Sequence, residues 1–232
     1  SESLGVNKAK KNWNSVGDHA PAYLINLYLA TGDDDYAKFL EDTFDTICDH
    51  FPDYGYSPFM NEKFFDDWSH DLKWGIHQAR CVVGHNLKVA WNLTRMHSLM
   101  PKESYKTFAH QIADAIPGAG CDNQRGGWYD MMERTLKDGE ENYRRVWHDR
   151  KAWWQQEQGI LAYYIMAGVY DDKPEYLNYA REGSAFYNGW FLDYEEGGIY
   201  FNVLANGQPY SLGSERGKGS HSMAGYHSFE LC

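Results

Sequence analysis

The sequence predicts an all-α protein assembled from repeated helical hairpins, and two observations carry that prediction. Three segments share one start, Asp35-Tyr36-x-x-Phe39, Ser104-Tyr105-x-x-Phe108 and Glu175-Tyr176-x-x-Tyr179, with 69 residues from Tyr36 to Tyr105 and 71 from Tyr105 to Tyr176. Two Asp-x3-Gly-Gly turns, beginning at Asp122 and Asp193, recur at the same interval of 71. Self-similarity at a fixed period means stacked supersecondary units, each unable to bury its apolar face alone. The unit here is two helices followed by a short β-hairpin. Such units stack into an open superhelix or close into a ring, and the period does not choose between them.

The elements follow in order. Gly17-Asp18-His19 precedes an amphipathic helix, and the turn Thr31-Gly-Asp-Asp-Asp35 ends it and caps a second helix from Tyr36 to about His50. Phe51 to about Lys73, rich in Pro, Gly, Asp and aromatic residues, predicts an irregular stretch. Its Tyr54, Tyr56, Phe59, Phe64, Phe65 and Trp68 make it the candidate specificity loop, the alternative being a folded-over lid without ligand contact. The helix signal returns after Gly84-His85 and again at Ser104-Tyr105. Asp122–Tyr129 and Asp193–Tyr200 each predict a tight hairpin. The run His148–Ala167 carries Trp153 and Trp154 at a helix start, followed by Ile160, Leu161, Tyr164 and Met166 around much of the helix, the pattern of a helix packed on most sides. A last helix opens at Gly225-Tyr226-His227 and runs barely two turns. We therefore read 1–232 as a single partial domain, about three helical-hairpin repeats plus the start of a fourth, belonging to a longer chain.

Composition narrows the function classes. A chain that is 43% hydrophobic and 16% aromatic holds a real core. Its formal net charge of −11 excludes a phosphate-backbone partner, which requires a clustered cationic surface, so no nucleic acid is expected. Cysteines at 48, 81, 121 and 232 form no CxxC pair and read as reduced, buried thiols. No apolar run reaches bilayer length and the first residues lack a signal-peptide core, so we expect a cytoplasmic protein, with no membrane partner and a homodimer as the possible assembly.

The candidate site follows from phase. The first helices of the repeats begin at His19, His85, Trp154 and His227, so parallel helices would gather three histidines and the Trp153/Trp154 pair on one face. The pair reads either as two core tryptophans or as the wall of a sugar site. Imidazole titrates near neutrality, so paired histidines can remove and return protons without metal or cofactor. Metal ligation is disfavoured, because the residues three and four after His85 are Lys88 and Val89. Glu230 lies one turn after His227 and could orient it or bind a hydroxyl. The glycine-rich segment Gly213–Gly219 lacks the strand-to-helix context of a phosphate loop and reads as a solvated loop.

Taken together, Asn14 to His19 with Leu27-Tyr28-x-Ala-Thr-Gly-Asp33, Gly84-His85 with Trp91, the Asp-x3-Gly-Gly hairpins, Lys151-x-Trp-Trp-x-Gln156 and Tyr226-His227 resemble the N-acylglucosamine 2-epimerase superfamily, which includes cellobiose and mannobiose 2-epimerases and mannose-type aldose–ketose isomerases. The resemblance covers the chain from about Lys11 onward. It implies an (α/α)6 barrel, here incomplete, and a cofactor-independent sugar 2-epimerase or aldose–ketose isomerase. It further implies that His85 and His227 exchange the C2 proton of an open-chain sugar from opposite faces, and that His19 positions substrate or assists ring opening. Trp153/Trp154 would stack on the sugar, and Gln156, Lys88 and Glu230 would complete the binding set. The sequence departs from the family pattern where Ala22, Lys88 and Gln158 stand in place of carboxylates, Glu157 being displaced by one. Lys88 beside His85 is expected to depress its pKa. The alternative from another class is a non-catalytic carbohydrate-binding or scaffold domain. A glycoside hydrolase would need two opposed carboxylates, with Glu157, Asp66 and Asp67 as the available groups.

Overall fold

The computed structural model describes residues 11–71, 80–146, 149–219, 223 and 225–232. Lys73 and His148, at the ends of two segments singled out above, lie outside these.

The helices form two rows. Along one run α2 (Ala20–Thr31), α4 (Val83–Leu99), α6 (Trp153–Val169) and α8 (Tyr226–Leu231), each packed on the next. Along the other run α3 (Asp34–His50), α5 (Glu103–Ala119) and α7 (Glu175–Trp190). A short α1 (Trp13–Val16) leads in. Burial separates the rows. On α5 it follows the 3.6-residue period, through Tyr105, Phe108, Ala109, Ile112, Ala113 and Ile116. On α4 it covers Asn86 to Thr94 without a break, because α4 is packed by both α5 and α6. The expectation for α6 holds for Ile160 and Met166, with α4, α7 and α8 around the helix, whereas Leu161 is half-buried and Tyr164 is exposed. The first helix departs from its expected amphipathicity: Pro21, Ala22 and Ile25 are buried, whereas Tyr23, Leu27 and Leu29 are exposed.

The repeated Tyr-x-x-Phe starts have a structural cause. Tyr105 Oη donates to Asp45 Oδ1 at 2.8 Å while Lys102 Nζ reaches the same carboxylate at 2.6 Å. One repeat on, Tyr176 Oη donates to Asp114 at 2.7 Å and Lys173 Nζ reaches it at 2.6 Å. Each staple ties the start of one outer helix to the end of the helix before it. The two Asp-x3-Gly-Gly turns also form as expected. Gly126 N donates to Asp122 O at 2.7 Å and Gly197 N to Asp193 O at 3.0 Å, with all four glycines at positive φ.

Sequence periodicity did not mark the strands that matter most. Three two-residue or three-residue ladders pair β1 (Lys11–Asn12) with β2 (Lys63–Phe64), β3 (Arg80–Val82) with β4 (Met131–Glu133), and β5 (Lys151–Ala152) with β6 (Asn202–Val203), all antiparallel. In every case the strand leading into an inner helix pairs with the strand that follows the outer helix of the same repeat. The N-terminus of α4 and of α6 is thereby clamped. Residues 51–71, the described part of the stretch expected as a specificity loop or a folded-over lid, are packed: Phe51, Phe59 and Phe64 are buried, and Trp68 stacks parallel on His50 at 4.3 Å. Arg134 holds it, donating to Asp53 at 2.6 Å and to Phe59 O at 2.9 Å. Tyr54, Tyr56 and Phe65 are exposed and do not line the central pocket. Among the described residues no helix is long and apolar enough to cross a membrane.

Candidate active site

The clamped helix starts converge on a pocket of about 320 Å³. His19, His85, Trp153, Trp154 and His227 all line it, as the phase argument requires. Trp154 lies between two of the histidines, its ring 5.5 Å from that of His85 and 5.4 Å from that of His227. His19 stands 5.9 Å from His227. This closeness depends on Gly84, where a Cβ would come within 2.6 Å of the Trp154 ring. Gly84 N donates to Gln155 Oε1 at 2.7 Å, so the starts of α4 and α6 touch through backbone and indole. Trp153 is buried against Phe201 at 4.6 Å and fixes the back of the wall.

The hydrogen bonds fix both tautomers. His85 Nδ1 lies 2.9 Å from Glu62 Oε2. A carboxylate only accepts, so Nδ1–H donates and Nε2 of the neutral ring keeps its lone pair. Burial works against the charged form of His85, but the Glu62 charge and hydrogen bond outweigh it and raise its pKa. His227 is set the opposite way. Trp91 Nε1 can only donate, and it donates to Gln158 Oε1 at 2.8 Å, which leaves the Gln158 amide nitrogen to donate to His227 Nδ1 at 3.1 Å. The neutral His227 ring therefore carries its proton on Nε2. Burial, then the nearby Lys88 and His19, push its pKa down to about 3.

Lys88 is where the sequence reading and the structure part most. It was expected in the binding set and as the group depressing His85. It is fully buried one turn below His85 and does not line the pocket. Its ammonium donates to the Tyr226 hydroxyl, approaches His19 Nδ1 at 3.3 Å and pairs with Asp18 at 3.4 Å. Its charge thus bears on His19 and His227. The His19 pKa is lowered, by burial first and by Lys88 in part, against the pull of Asp18. Glu230 also stands behind the pocket, accepting from Gln158 at 3.2 Å, with burial raising its pKa.

Gln156 is a second correction. It is fully buried, and its amide accepts from Trp128 N and donates to Trp128 O, both at 2.8 Å, so it secures the Asp122 hairpin and lines no part of the pocket. Glu157 is buried against Tyr187 and Ser228, its Oε1 accepting at 2.6 and 2.7 Å. Neither it nor Asp66 or Asp67 reaches the pocket, so those three do not build an opposed pair.

Among the other lining residues, five are polar or charged side chains that sequence reasoning did not select for the site: Asp18, Asp130, Arg150, Asn202 and Glu215. Glu215 lies in the segment expected to be a solvated loop. Glu62 was missed because it sits in a stretch with no periodicity; the β1–β2 ladder places it, with Trp13 N donating to Glu62 O at 2.9 Å.

A model of the N-acylglucosamine 2-epimerase (GlcNAc 2-epimerase) family matches residues 4–227. Solved structures similar to the chain include the cellobiose 2-epimerase from Bacillus thermoamylovorans B4167, at 20% identity and a TM-score of 0.72, covering 92% of this chain and 50% of that one. A D-mannose isomerase is similar at 18% identity and a TM-score of 0.77, covering 96% and 56%. The family 76 glycoside hydrolase (mannosidase) Bt3792 from Bacteroides thetaiotaomicron VPI-5482 is more distant, at 15% identity and a TM-score of 0.59, covering 75% and 44%. No curated protein sequence matches the chain. The chain spans about half the length of the solved structures it resembles, and the fold it shares with the epimerases is the (α/α)6 barrel.

Proposed function

Because the chain belongs to the N-acylglucosamine 2-epimerase family, we propose that it acts on the open-chain form of a sugar by histidine-mediated proton transfer at C2, as an aldose–ketose isomerase or 2-epimerase. The observation that carries this reading is the Glu62–His85 pair facing Trp154 in the pocket. A histidine whose Nδ1–H is held by a carboxylate presents a basic Nε2, and the carboxylate steadies the imidazolium that forms. His85 then takes the C2 proton, acidified by the neighbouring C1 carbonyl, and the electron pair passes through C1–C2 to the C1 oxygen. The product is an enediolate, with the proton on His85.

The fate of that proton separates the two reactions. If a proton passes from O2 to O1 and His85 protonates C1, the aldose becomes a ketose. Epimerisation instead needs a proton delivered to the opposite face of C2, from His227 as an imidazolium. Burial and Lys88 oppose that state, and the Gln158 N–H already occupies Nδ1. The one-base route to the ketose is therefore favoured, with His227 and His19 donating hydrogen bonds to sugar oxygens. Trp153 and Trp154 supply the stacking wall.

The test is NMR in D₂O with N-acetylglucosamine, N-acetylmannosamine, glucose, mannose and cellobiose. A ketose that retains part of the original C2 proton at C1 supports the one-base route; a C2 epimer labelled with deuterium supports the two-base route. Either signal should vanish in His85→Ala. Persistence of every C2 proton at high protein concentration, with sugar still bound, would replace this reading by the binding-domain alternative.

A further inference from the structure

A fully buried lysine stands behind the pocket, and no step of the proton transfer uses it. The Lys88 side chain, from α4, ends among three acceptors contributed by two other parts of the chain: His19 Nδ1 at 3.3 Å and Asp18 Oδ1 at 3.4 Å, from the turn ahead of α2, and the Tyr226 hydroxyl of α8. That hydroxyl gives its own proton to Glu230, so it can only accept from Lys88. Three N–H groups thus meet three acceptors, the pattern of an ammonium. Burial lowers the Lys88 pKa, and the Asp18 and Glu230 charges oppose that. An ammonium has no lone pair, so His19 Nδ1 accepts, and the neutral ring carries its proton on Nε2, which faces Asp18 Oδ2 at 3.5 Å. In the other direction the bonds run from Lys88 through Tyr226 to Glu230, which also accepts from the Gln158 amide that donates to His227 Nδ1. One ammonium therefore heads the contacts that set both rings as Nε2–H donors.

We propose that Lys88 is a positioning residue that takes the place of an imidazolium beside Asp18, reserving His19 and His227 as neutral hydrogen-bond donors and so committing the pocket to the one-base route; the inference rests on the reading of the pocket as a sugar site. The Asp18 carboxylate is buried and requires a cation. Burial alone disfavours a charged ring, but with Lys88 gone the His19 ring is the cation within reach of Asp18, and His227 stands 5.9 Å from His19 in the same field. The surrounding charges leave that choice to Lys88. Glu230 on α8 favours an imidazolium, whereas His85 and Arg95 on α4 oppose one. Glu157 on α6 is turned to Tyr187 and Ser228, Tyr23 on α2 stands beside Tyr226, and across the pocket Arg150 is paired with Asp130 and Glu215. While the ammonium is in place, no imidazolium forms opposite His85 to return a proton to the other face of C2.

Long-range ¹⁵N–¹H spectra of the imidazole side chains, assigned with His19→Asn and His227→Asn, read tautomer and charge without any sugar. At pH 6.5, where an ordinary imidazole is about half protonated, both rings of the wild type are expected to be mainly neutral with the proton on Nε2. In Lys88→Met the two rings together are expected to take up at least about half a proton at that pH, and adding Asp18→Asn is expected to reverse the gain, because no carboxylate then seeks a cation. Lys88→Gln, which keeps a donor without the charge, reads the same uptake where Lys88→Met does not fold. With the sugars of the D₂O experiment, the share of C2 epimer over ketose is expected to rise about tenfold in the Lys88 variant. A wild-type His19 that is charged or carries its proton on Nδ1 overturns the inference with no variant needed. Proton uptake unmoved by loss of Lys88, or a product ratio unchanged while uptake rises, overturns it even if C2 exchange is observed. Uptake that rises where no protein exchanges a C2 proton sustains the role of Lys88 towards the rings and sinks the catalytic reading alone.

Discussion

At the level of single residues, the pocket is legible from the sequence where a residue's place follows from repeat phase, and illegible where it follows from a partner far along the chain. His19, His85, Trp153, Trp154 and His227 were found because each opens a helix. Glu62 was not, because what brings it to His85 is a ladder of two residue pairs. Lys88 and Gln156 were misplaced for a related reason: helix position gives the turn but not whether the side chain faces the pocket or the layer behind it. Glu62→Gln tests the base assignment. The carboxylate raises the His85 pKa, so activity in the wild type should rise through a pKa above the ordinary histidine value of about 6.5. The variant should shift that limb to lower pH and lose about 10²-fold or more in kcat/KM, since the base is then weaker and the imidazolium has lost its counter-charge. A pH profile superimposable on the wild type would remove Glu62 from the mechanism. Gly84→Ala should lower affinity for every sugar alike, because a Cβ there displaces Trp154, and tryptophan fluorescence should register the shift.

Among the elements, two kinds of tie hold the rows together and should differ sharply in strength. The Tyr105–Asp45 and Tyr176–Asp114 staples are partly solvated at the carboxylate, so Tyr105→Phe should cost about 1 kcal/mol by denaturant unfolding. Lys151 and Asp122 are both buried, with Lys151 Nζ also donating to Gly126 O at 2.6 Å. Lys151→Met strands a carboxylate in the interior and should cost about 3–5 kcal/mol. Equal losses in the two variants would contradict the burial argument. Sequence reading recognised the tyrosines as a repeat marker and the Asp-x3-Gly-Gly segments as turns. It could not assign the salt links, because Lys102 and Asp45 belong to different repeats and nothing local relates them.

For the molecule as a whole, the 69- to 71-residue period was sufficient to give the helical class and the repeating hairpin unit, and it was silent on how the units close and on what covers the pocket. That silence is physical, since loops such as Gly213–Glu215 follow no period. The buried neutral His227 makes one global prediction. With its pKa held near 3, the unfolded chain binds a proton that the folded chain refuses, so its contribution is complete above about pH 6.5 and declines as pH falls towards 3. The difference in thermal stability between wild type and His227→Asn should therefore narrow on acidification, and a difference constant over that range would refute the assignment. The lead-in ladders carry a consequence for how the protein is made. Val82 waits for Met131, and Ala152 for Asn202, each beyond both helices of its own repeat. Helical pairs can form locally as the chain emerges from the ribosome, but the helix starts that carry His85, Trp153 and Trp154 are clamped only when a long loop closes behind them. A nascent chain thus acquires its scaffold before its chemistry, and a translational pause between α5 and β4 would leave packed helices with the start of α4 still unclamped.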